Sequence, residues 1–262
     1  MSTNILAKIV ESKFGEVADR KMQINTKQLE AMPLFAKKCL SLKANLLDRS
    51  KTGIIAEFKR QSPSKGMINA VADVNEVTKA YSDFGAAGVS VLTDGPYFGG
   101  SLADLSIAIQ NPIPVLRKEF IIDEFQLIEA KAFGASVILL IASCLTPAET
   151  KQLAGIAKSL GMEVLLELHD EAELEYICQE VDFVGINNRS LKSFEVNIEH
   201  SLKLKNLLPK EKLSIAESGI YDLATFQLLK KEGFDGFLMG EYFMKQENPA
   251  KAFEEFSKQI NL

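Results

Sequence analysis

The chain has 262 residues, of which 47% are apolar and 25% are charged, and its formal net charge is −5. This length and apolar content suffice for one domain with a large core. An acidic balance argues against general nucleic-acid binding, which needs a basic surface. The N-terminal residues lack a sustained apolar run, and no stretch approaches the ~20 apolar residues of a membrane span. We therefore expect a cytoplasmic protein with no membrane or nucleic-acid partner.

The cysteines and histidines are too scattered to form a recognisable metal or disulfide motif. Cys39, Cys144 and Cys178 make no C-x-x-C pair, and His169 and His200 are isolated in the sequence. The sequence therefore predicts neither a zinc site nor a disulfide framework.

In chain order, the first 50 residues precede any repeating pattern. Leu6, Ile9, Val10 and Phe14 share the spacing of one helical face, and a second helix is predicted within residues 36–47. We expect these residues to form a helical cap. Such a cap either covers an open end of the molecule or helps to close a substrate pocket.

From residue 54 onward, short apolar runs alternate with longer amphipathic segments. Strands that alternate with helices give right-handed parallel units. A run such as 137–141, apolar on both faces, suits a strand covered on both sides. The predicted helices include residues 74–84, 124–133, 147–160 and 223–231, and the predicted strands are residues 54–58, 88–93, 114–118, 136–141, 163–168, 183–187, 213–216 and 236–239.

Eight such units favour an α/β protein with the (β/α)8 TIM-barrel fold and an N-terminal helical extension. An open doubly wound sheet uses the same units and is the alternative. No linker or change in composition divides the chain. We therefore expect a single domain over residues 1–262, with the cap at 1–50 and the barrel at 51–262.

The first predicted strand carries two charged residues that share one face. Glu57 and Lys59 are two positions apart, so on a strand both side chains point to the same side, and a Ser-Pro-Ser-Lys-Gly loop follows. Burying both charges without a function costs free energy, which favours a pocket role. A lone E-x-K pair is more typical of an exposed surface.

The third predicted strand ends in Lys118, a candidate for proton transfer. In an apolar pocket beside another cation, the pKa of a lysine falls, and it can then exchange a proton near neutral pH. The alternative is a solvated charge cluster formed with Arg117 and Glu119.

The fifth and sixth predicted strands add a carboxylate and two polar groups. Glu167 ends an apolar strand, which suits a catalytic carboxylate. His169 is expected to point outward, beside an N-cap at Asp170. Asn187 could orient a hydroxyl or carboxylate, and Arg189 suits a carboxylate or phosphate, although both could instead stabilise a loop.

The last two predicted strands end in small residues. Ser218 and Gly219 follow the seventh, and Gly240 follows the eighth. Loops at these places form the phosphate site of many such barrels, whereas a single Ser-Gly is usually a turn. With the lysines and carboxylates above, this pattern predicts cofactor-free acid–base chemistry on a small sugar phosphate.

Five motifs occur in order along the chain: IIAEFKRQSPSKG, LRKEF, LLELHD, GINNRSL and AESGI. The LTDGPYFGGS loop around Phe98 and the MGEYFM segment support them. By these motifs the chain resembles the indole-3-glycerol phosphate synthase family over nearly its whole length. That family closes an indole ring on 1-(2-carboxyphenylamino)-1-deoxyribulose 5-phosphate and releases carbon dioxide and water. The resemblance implies this carbon–carbon lyase step of tryptophan biosynthesis, without a cofactor, for this chain.

The resemblance also implies roles for individual residues. Lys118 would be the general acid at the substrate ketone, with Glu167 as its partner or as the group that stabilises developing positive charge. Glu57 and Lys59 would move protons in the dehydration, while Lys59 would also contact the phosphate or carboxylate. Which group moves which proton stays open, because coupled groups share their protons. The implied substrate-binding residues are Asn187 at the ribulose hydroxyls, Ser218, Gly219, Gly240 and Glu241 at the phosphate, and Ser62, Phe98, Phe120, Arg189 and Leu191 as pocket lining, the apolar ones against the anthranilate ring.

Two positions depart from the family pattern. Glu241 stands where some relatives carry Ser or Thr, so only its backbone N–H would face the phosphate. Asn197 stands where Asp is more usual, which affects contacts around the site and not the reaction. We expect a monomer whose partner is the sugar-phosphate substrate.

Two other classes of protein are weighed against this one. Phosphoribosylanthranilate isomerase would be expected to carry a Cys and an Asp as proton carriers, where this chain has Glu57 and Lys59. A ribulose-phosphate epimerase would need metal-binding histidines. A non-catalytic phosphate-binding barrel would be expected to lose Lys118 or Glu167, and both are present.

Overall fold

The computed structural model describes residues 5–189 and 195–260. Eight parallel strands close into a barrel in sequence order, and β8 pairs with β1. This closure confirms the barrel over the open sheet. The strands are β1 Ile54–Phe58, β2 Gly88–Leu92, β3 Val115–Lys118, β4 Val137–Ile141, β5 Glu163–Leu168, β6 Phe183–Asn187, β7 Leu213–Glu217 and β8 Gly236–Met239.

Helices surround the barrel and precede it, and most of them begin at a polar cap. Asp123 and Thr146 each form a capping box, in which the cap side chain and the third helical residue satisfy each other's backbone N–H groups. The helices are α1 Ile5–Gln23, α2 Thr26–Glu30, α3 Leu42–Leu47, α4 Val74–Asp83, α5 Gly95–Phe98, α6 Leu102–Ala108, α7 Glu124–Ala132, α8 Pro147–Ser159, α9 Ile198–Lys205, α10 Leu223–Lys231, α11 Glu241–Met244 and α12 Pro249–Ile260.

The barrel interior is filled by alternate side chains of the strands. Ile55, Leu116, Leu165 and Phe183 belong to one buried cluster within it. Leu42 of α3 joins the same cluster and is 1% exposed. The larger cluster lies between the strands and the outer helices. This packing leaves the carboxyl ends of the strands as the place for polar side chains.

The N-terminal segment performs both functions that were expected of the cap. Leu42 packs against the barrel core at the amino-terminal half of the strands, where its methyl group approaches Gly88. Ile5 and Ile9 of α1 instead line the pocket described below. The segment therefore both covers the core and contributes to the pocket.

Two details of the N-terminal prediction are wrong. Phe14 is 63% exposed, and the inward face of α1 is formed by Leu6, Ile9, Lys13 and Val17. The apolar pattern could not include Lys13, which is buried against two carboxylates that lie far away in the sequence. The second predicted helix is also shorter than expected, since α3 begins at residue 42 after the N-cap Ser41.

Among the described residues, none of the helices has the length and apolar character needed to cross a membrane. All three cysteines are free and half-buried.

Candidate active site

An open pocket lies at the carboxyl ends of the strands. It brings together every candidate residue of the sequence analysis that the structure describes; Leu191 lies outside the described residues. The candidates that line it are Glu57, Lys59, Ser62, Phe98, Lys118, Phe120, Glu167, Asn187, Arg189, Ser218, Gly219, Gly240 and Glu241.

Glu57 and Lys59 of the first strand and its loop form an ion pair inside this pocket. The Lys59 ammonium lies 2.6 Å from Glu57 Oε1, and the Glu57 side chain is almost fully buried. Gly240 makes room for this carboxylate, because a Cβ there would lie 2.7 Å from Glu57 Oε1. The two charges share a face, as the strand spacing predicts.

Lys118 ends β3 and contacts two carboxylates from across the barrel. Its Nζ donates to Glu217 Oε2 at 2.7 Å and to Glu167 Oε2 at 2.9 Å. Burial lowers the pKa of Lys118, but the charges of Glu167, Glu217 and Glu57 outweigh burial and raise the pKa above its ordinary value. The expected lowering of this pKa is therefore wrong, because the neighbours are anions and not a second cation.

Glu167 is the penultimate residue of β5 and is held in its charged form. Burial alone would raise its pKa, yet the Lys118 ammonium, His169 and an amide hydrogen bond lower it. That bond runs from Asn187 Nδ2 to Glu167 Oε1 at 3.0 Å. His169 does not point outward as expected, since its Nε2 lies 3.4 Å from the same carboxylate, whereas Asp170 forms the expected N-cap.

Glu217 is a buried carboxyl group of the pocket that the sequence analysis missed. It is the last residue of β7, 1% exposed, and one of the two carboxylates on Lys118. Burial and the charge of Glu167 raise the pKa of Glu217 to about 8, against the opposing attraction of Lys118. The signal that identifies Glu167, a carboxylate ending an apolar strand, is also present at Glu217.

Aromatic and aliphatic side chains form one wall of the pocket. The Phe98 and Phe120 rings lie 5.9 Å apart between centroids. Ile5 and Ile9 of α1 line the same pocket. This wall suits a flat apolar group, because ring faces and branched aliphatic groups exclude water from it.

The opposite side of the pocket is built from the two Gly-bearing loops. Ser218 and Gly219 both have positive φ angles, 64° and 71°. Ser218 thus holds a left-handed conformation that is uncommon for a residue with a side chain. Gly219 and Gly240 both line the pocket, and a Cβ at these positions would meet Val196 and Glu57 respectively, so both positions require glycine. Backbone N–H groups of such loops are suited to bind an anion.

Arg189 spans the mouth of the pocket. Its guanidinium donates to Ser64 Oγ at 2.6 Å, to the Tyr221 hydroxyl at 2.8 Å and to Glu241 Oε2 at 2.9 Å. Glu241 Oε1 also lies 3.8 Å from the Lys65 ammonium. The Glu241 carboxylate therefore lies beside Arg189 and Lys65 at the mouth of the pocket, at the end that is suited to an anion.

Asn197 keeps the N-cap role that an Asp would have at this position. Its side chain accepts a hydrogen bond from the His200 N–H at 3.0 Å and begins α9. Its departure from the family pattern therefore leaves this local structure intact.

These groups suit proton transfer on a molecule that is apolar at one end and anionic at the other. Charged Lys118 can donate a proton, and the Glu57–Lys59 pair offers a carboxylate and an ammonium side by side. Within residues 5–189 and 195–260, no three His, Cys, Asp or Glu side chains are grouped to hold a metal ion.

Solved structures similar to this chain share its fold. A thiamine phosphate pyrophosphorylase from Pyrococcus furiosus matches with a TM-score of 0.58 and 16% identity, over 81% of this chain and 97% of that one. A 3-hexulose-6-phosphate synthase from Salmonella typhimurium matches with a TM-score of 0.61 and 14% identity, over 79% and 98%. Identities this low establish the barrel fold and nothing about the reaction.

Sequence comparison is more specific. The family model of indole-3-glycerol phosphate synthase matches residues 6–256. The indole-3-glycerol phosphate synthase of Bacteroides thetaiotaomicron is 43% identical over 98% of this chain and 99% of its own length. That of Acinetobacter baylyi is 41% identical over 97% and 96%. Because these matches span nearly the whole chain, it belongs to the indole-3-glycerol phosphate synthase family.

Proposed function

We propose a specific division of labour among the residues of this pocket in the reaction of the family. As a member of that family, the chain is a carboxy-lyase of tryptophan biosynthesis. The reaction converts 1-(2-carboxyphenylamino)-1-deoxyribulose 5-phosphate to indole-3-glycerol phosphate, carbon dioxide and water. It requires three events: ring closure, loss of carbon dioxide and loss of water.

Lys118 is the general acid of ring closure. The ring carbon that bears the carboxylate attacks the ketone carbon, and the ketone oxygen takes up a proton as its double bond opens. The charged Glu167 carboxylate beside Lys118 keeps this ammonium protonated, so the proton is present when the substrate binds. The developing alkoxide is more basic than an ammonium group and can therefore remove that proton.

Glu167 stabilises the positive charge that develops on the substrate nitrogen during the attack. It is charged, buried and oriented by Asn187 and Lys118. A fixed carboxylate of this kind acts without reorganisation at the moment of reaction. Loss of carbon dioxide then returns the electrons of the broken carbon–carbon bond to the ring and neutralises the positive charge on the nitrogen.

The Glu57–Lys59 pair serves the dehydration. The departing hydroxyl needs a proton, and the neighbouring carbon must lose one. A carboxylate and an ammonium 2.6 Å apart provide an acceptor and a donor for these two transfers. The protonated Glu217 beside Lys118 offers a second proton reservoir in the same pocket.

The two ends of the pocket orient the substrate. The anthranilate ring lies against Phe98 and Phe120, and the phosphate lies at Ser218, Gly219 and Gly240. The Phe98–Phe120 contact and the presence of Ser218, Gly219 and Gly240 in the pocket lining support this orientation. Ser62, Arg189 and the Glu241 backbone complete the lining.

The working unit is a monomer with one domain, located in the cytoplasm. A single chain supplies the whole pocket, including its α1 wall, which supports the monomer and the single domain. Gel filtration with light scattering tests the oligomeric state, and a dimer would contradict the monomer.

The convergence of Glu57, Lys59, Lys118 and Glu167 on one pocket carries this proposal. Purified protein incubated with the substrate and no added metal is expected to produce indole fluorescence. The chain has no Trp, so its own emission comes from tyrosine and does not obscure the product. Folded, chelator-treated protein that forms no indole would overturn the assignment.

A further inference from the structure

Lys13 is a buried charge on the inward face of α1. It is 2% exposed, and its ammonium contacts three carboxylates. Glu16 of the same helix lies at 2.7 Å, Asp94 at 2.9 Å and Glu119 at 3.1 Å. The last two belong to the barrel, so a single ammonium joins α1 to two separate barrel loops.

Asp94 is the residue that begins the short helix α5. Its Oδ1 accepts the backbone N–H groups of Tyr97 at 2.8 Å and Phe98 at 3.2 Å, while Oδ2 accepts from Lys13. Asp94 has no exposed surface. The position of Phe98 therefore depends on a carboxylate whose other oxygen is held by Lys13.

Glu119 has the same relation to the second aromatic residue of the pocket. Its Oε1 accepts a hydrogen bond from the backbone N–H of Phe120 at 2.9 Å and lies 3.1 Å from the Lys13 ammonium. Its Oε2 accepts a hydrogen bond from the Thr93 hydroxyl at 2.7 Å. Glu119 is 4% exposed. Each of the two pocket aromatics is thus fixed by a buried carboxylate, and Lys13 bridges the two.

We propose that Lys13 is a positioning residue for the aromatic ring of the substrate. It holds the Phe98–Phe120 pair at its working separation and keeps the α1 wall against it. This inference rests on the proposed function, since that function supplies the aromatic ring. It assigns the N-terminal helix a part in substrate binding through one named side chain.

A cation is required at this position for an electrostatic reason. Two carboxylates buried side by side repel each other, and removal of their common counter-charge leaves Asp94 without a cation among the described residues and Glu119 with only the more distant Arg117 at 3.8 Å, in a medium of low polarity. They would then turn toward water and carry the backbone of Phe98 and Phe120 with them. At position 13, an arginine keeps the positive charge, whereas a methionine keeps the bulk of the side chain and removes the charge.

The test measures two probes separately, anthranilate for the aromatic wall and inorganic phosphate for the opposite end. K13M is expected to weaken anthranilate binding about tenfold, the size of a lost aromatic contact, and to leave phosphate binding unchanged. K13R restores anthranilate binding. K21M is the matched control, because Lys21 is on the same helix and pairs with Asp123 on the barrel.

A double-mutant cycle separates positioning from general destabilisation. In an F98A background, K13M should have little further effect on anthranilate binding, because the group that it positions is absent. Should K13M fail to fold, D94N replaces it: asparagine still caps α5 but weakens the link to Lys13, and the same selective loss is expected.

The possible failures are distinguishable. Wild-type anthranilate affinity in folded K13M, or equal losses for both probes, would overturn the role of Lys13 and leave the proposed function standing. A wild-type chain that binds phosphate but not anthranilate, and forms no indole, would overturn the proposed function itself.

Discussion

At the scale of single residues, neighbours decide the charge of Lys118. Burial would favour the neutral amine, but the carboxyl groups of Glu167 and Glu217 lie 2.9 Å and 2.7 Å from its nitrogen. The attraction of the acidic neighbours, Glu167 first among them, exceeds the cost of desolvation, and the pKa of Lys118 is raised. Lys118 therefore enters the reaction as an acid.

Replacing Lys118 tests this role. K118A is expected to lower kcat by about 10²–10⁴-fold, the usual cost of a lost general acid, and to change substrate affinity much less. Stopped-flow indole fluorescence gives turnover, and calorimetry with the inactive variant gives affinity. K79A is the control, since Lys79 pairs with Asp83 on an exposed helix face. Weakened binding with unchanged kcat would remove Lys118 from the acid role.

Glu241 provides a second test at this scale. Its carboxylate pairs with Arg189 and lies near Lys65, at the end of the pocket assigned to the phosphate. The Glu241 carboxylate repels an incoming phosphate, and the two anions compete for Arg189. Like charges about 4 Å apart cost about 1 kcal/mol in water, so E241Q should lower KM about fivefold and leave kcat unchanged.

Inhibition by inorganic phosphate checks the same point with a ligand that lacks the rest of the substrate. Its inhibition constant should fall in E241Q in parallel with KM. E255Q is the control, because Glu255 is exposed and pairs only weakly with Lys251. A higher KM in E241Q would mean that Glu241 orients Arg189 for the substrate and does not compete with it.

The sequence could identify most candidate residues but not their electrostatic states. Strand-end position locates Lys118 and Glu167 from local pattern alone. The pKa of Lys118 depends on Glu217, 99 positions later, and no local pattern encodes that distance. Glu217 itself was within reach of the strand-end rule, but the predicted strand ended one residue too early, at 216.

At the scale of elements, the pairing of β6 with β7 creates the space for Glu217. The register places Asn187 opposite Glu217 and Gly185 opposite Ile215. A methyl group on Gly185 would overlap Glu217 Oε1 and touch Leu165. The absence of a side chain at Gly185 is therefore what lets the carboxyl reach Lys118.

G185A should consequently damage the site more than the fold. The displaced carboxyl leaves Lys118, and kcat is expected to fall at least about tenfold, while overpacking lowers stability by about 1–3 kcal/mol. Indole assays and urea unfolding give the two quantities. G155A is the matched control: Gly155 lies within α8 with open space around it, and alanine there should raise stability by up to about 1 kcal/mol.

Elements differed in how well the sequence predicts them. All eight strands were found, because buried parallel strands are continuous apolar runs, and four of them have the predicted bounds. The short helix α2 was missed, although Asn25 and Gln28 form a capping box there. The inward face of α1 was misplaced because it contains Lys13, a residue that looks exposed until its barrel partners are known.

At the scale of the whole molecule, barrel closure concentrates charge in one place. Glu57, Lys118, Glu167 and Glu217 come from four strands spread over 161 positions, yet all line one pocket. Burying such a cluster requires that some of its carboxyls keep a proton. The global stability of the folded chain must therefore depend on pH through this pocket.

The sign of that dependence follows from the two affected carboxyls. The pKa of Glu217 is raised from 4.5 to about 8, so between these values the folded chain keeps a proton that the unfolded chain has released. The free energy of unfolding then falls as pH rises through this window, by at most about 1.4 kcal/mol per unit. The pKa of Glu167 is lowered, so its contribution is lost only as pH falls below 4.5.

Urea unfolding of wild type and E217Q between about pH 5 and pH 8 tests this expectation. Glutamine cannot titrate, so E217Q lacks the Glu217 contribution and the wild type should lose stability relative to it as pH rises. E255Q serves as the control, since its exposed position leaves the slope unchanged. A constant difference between wild type and E217Q would show that Glu217 is charged in the folded chain. Lys118 would then face two anions, and a protonated Glu217 could no longer act as the second proton reservoir.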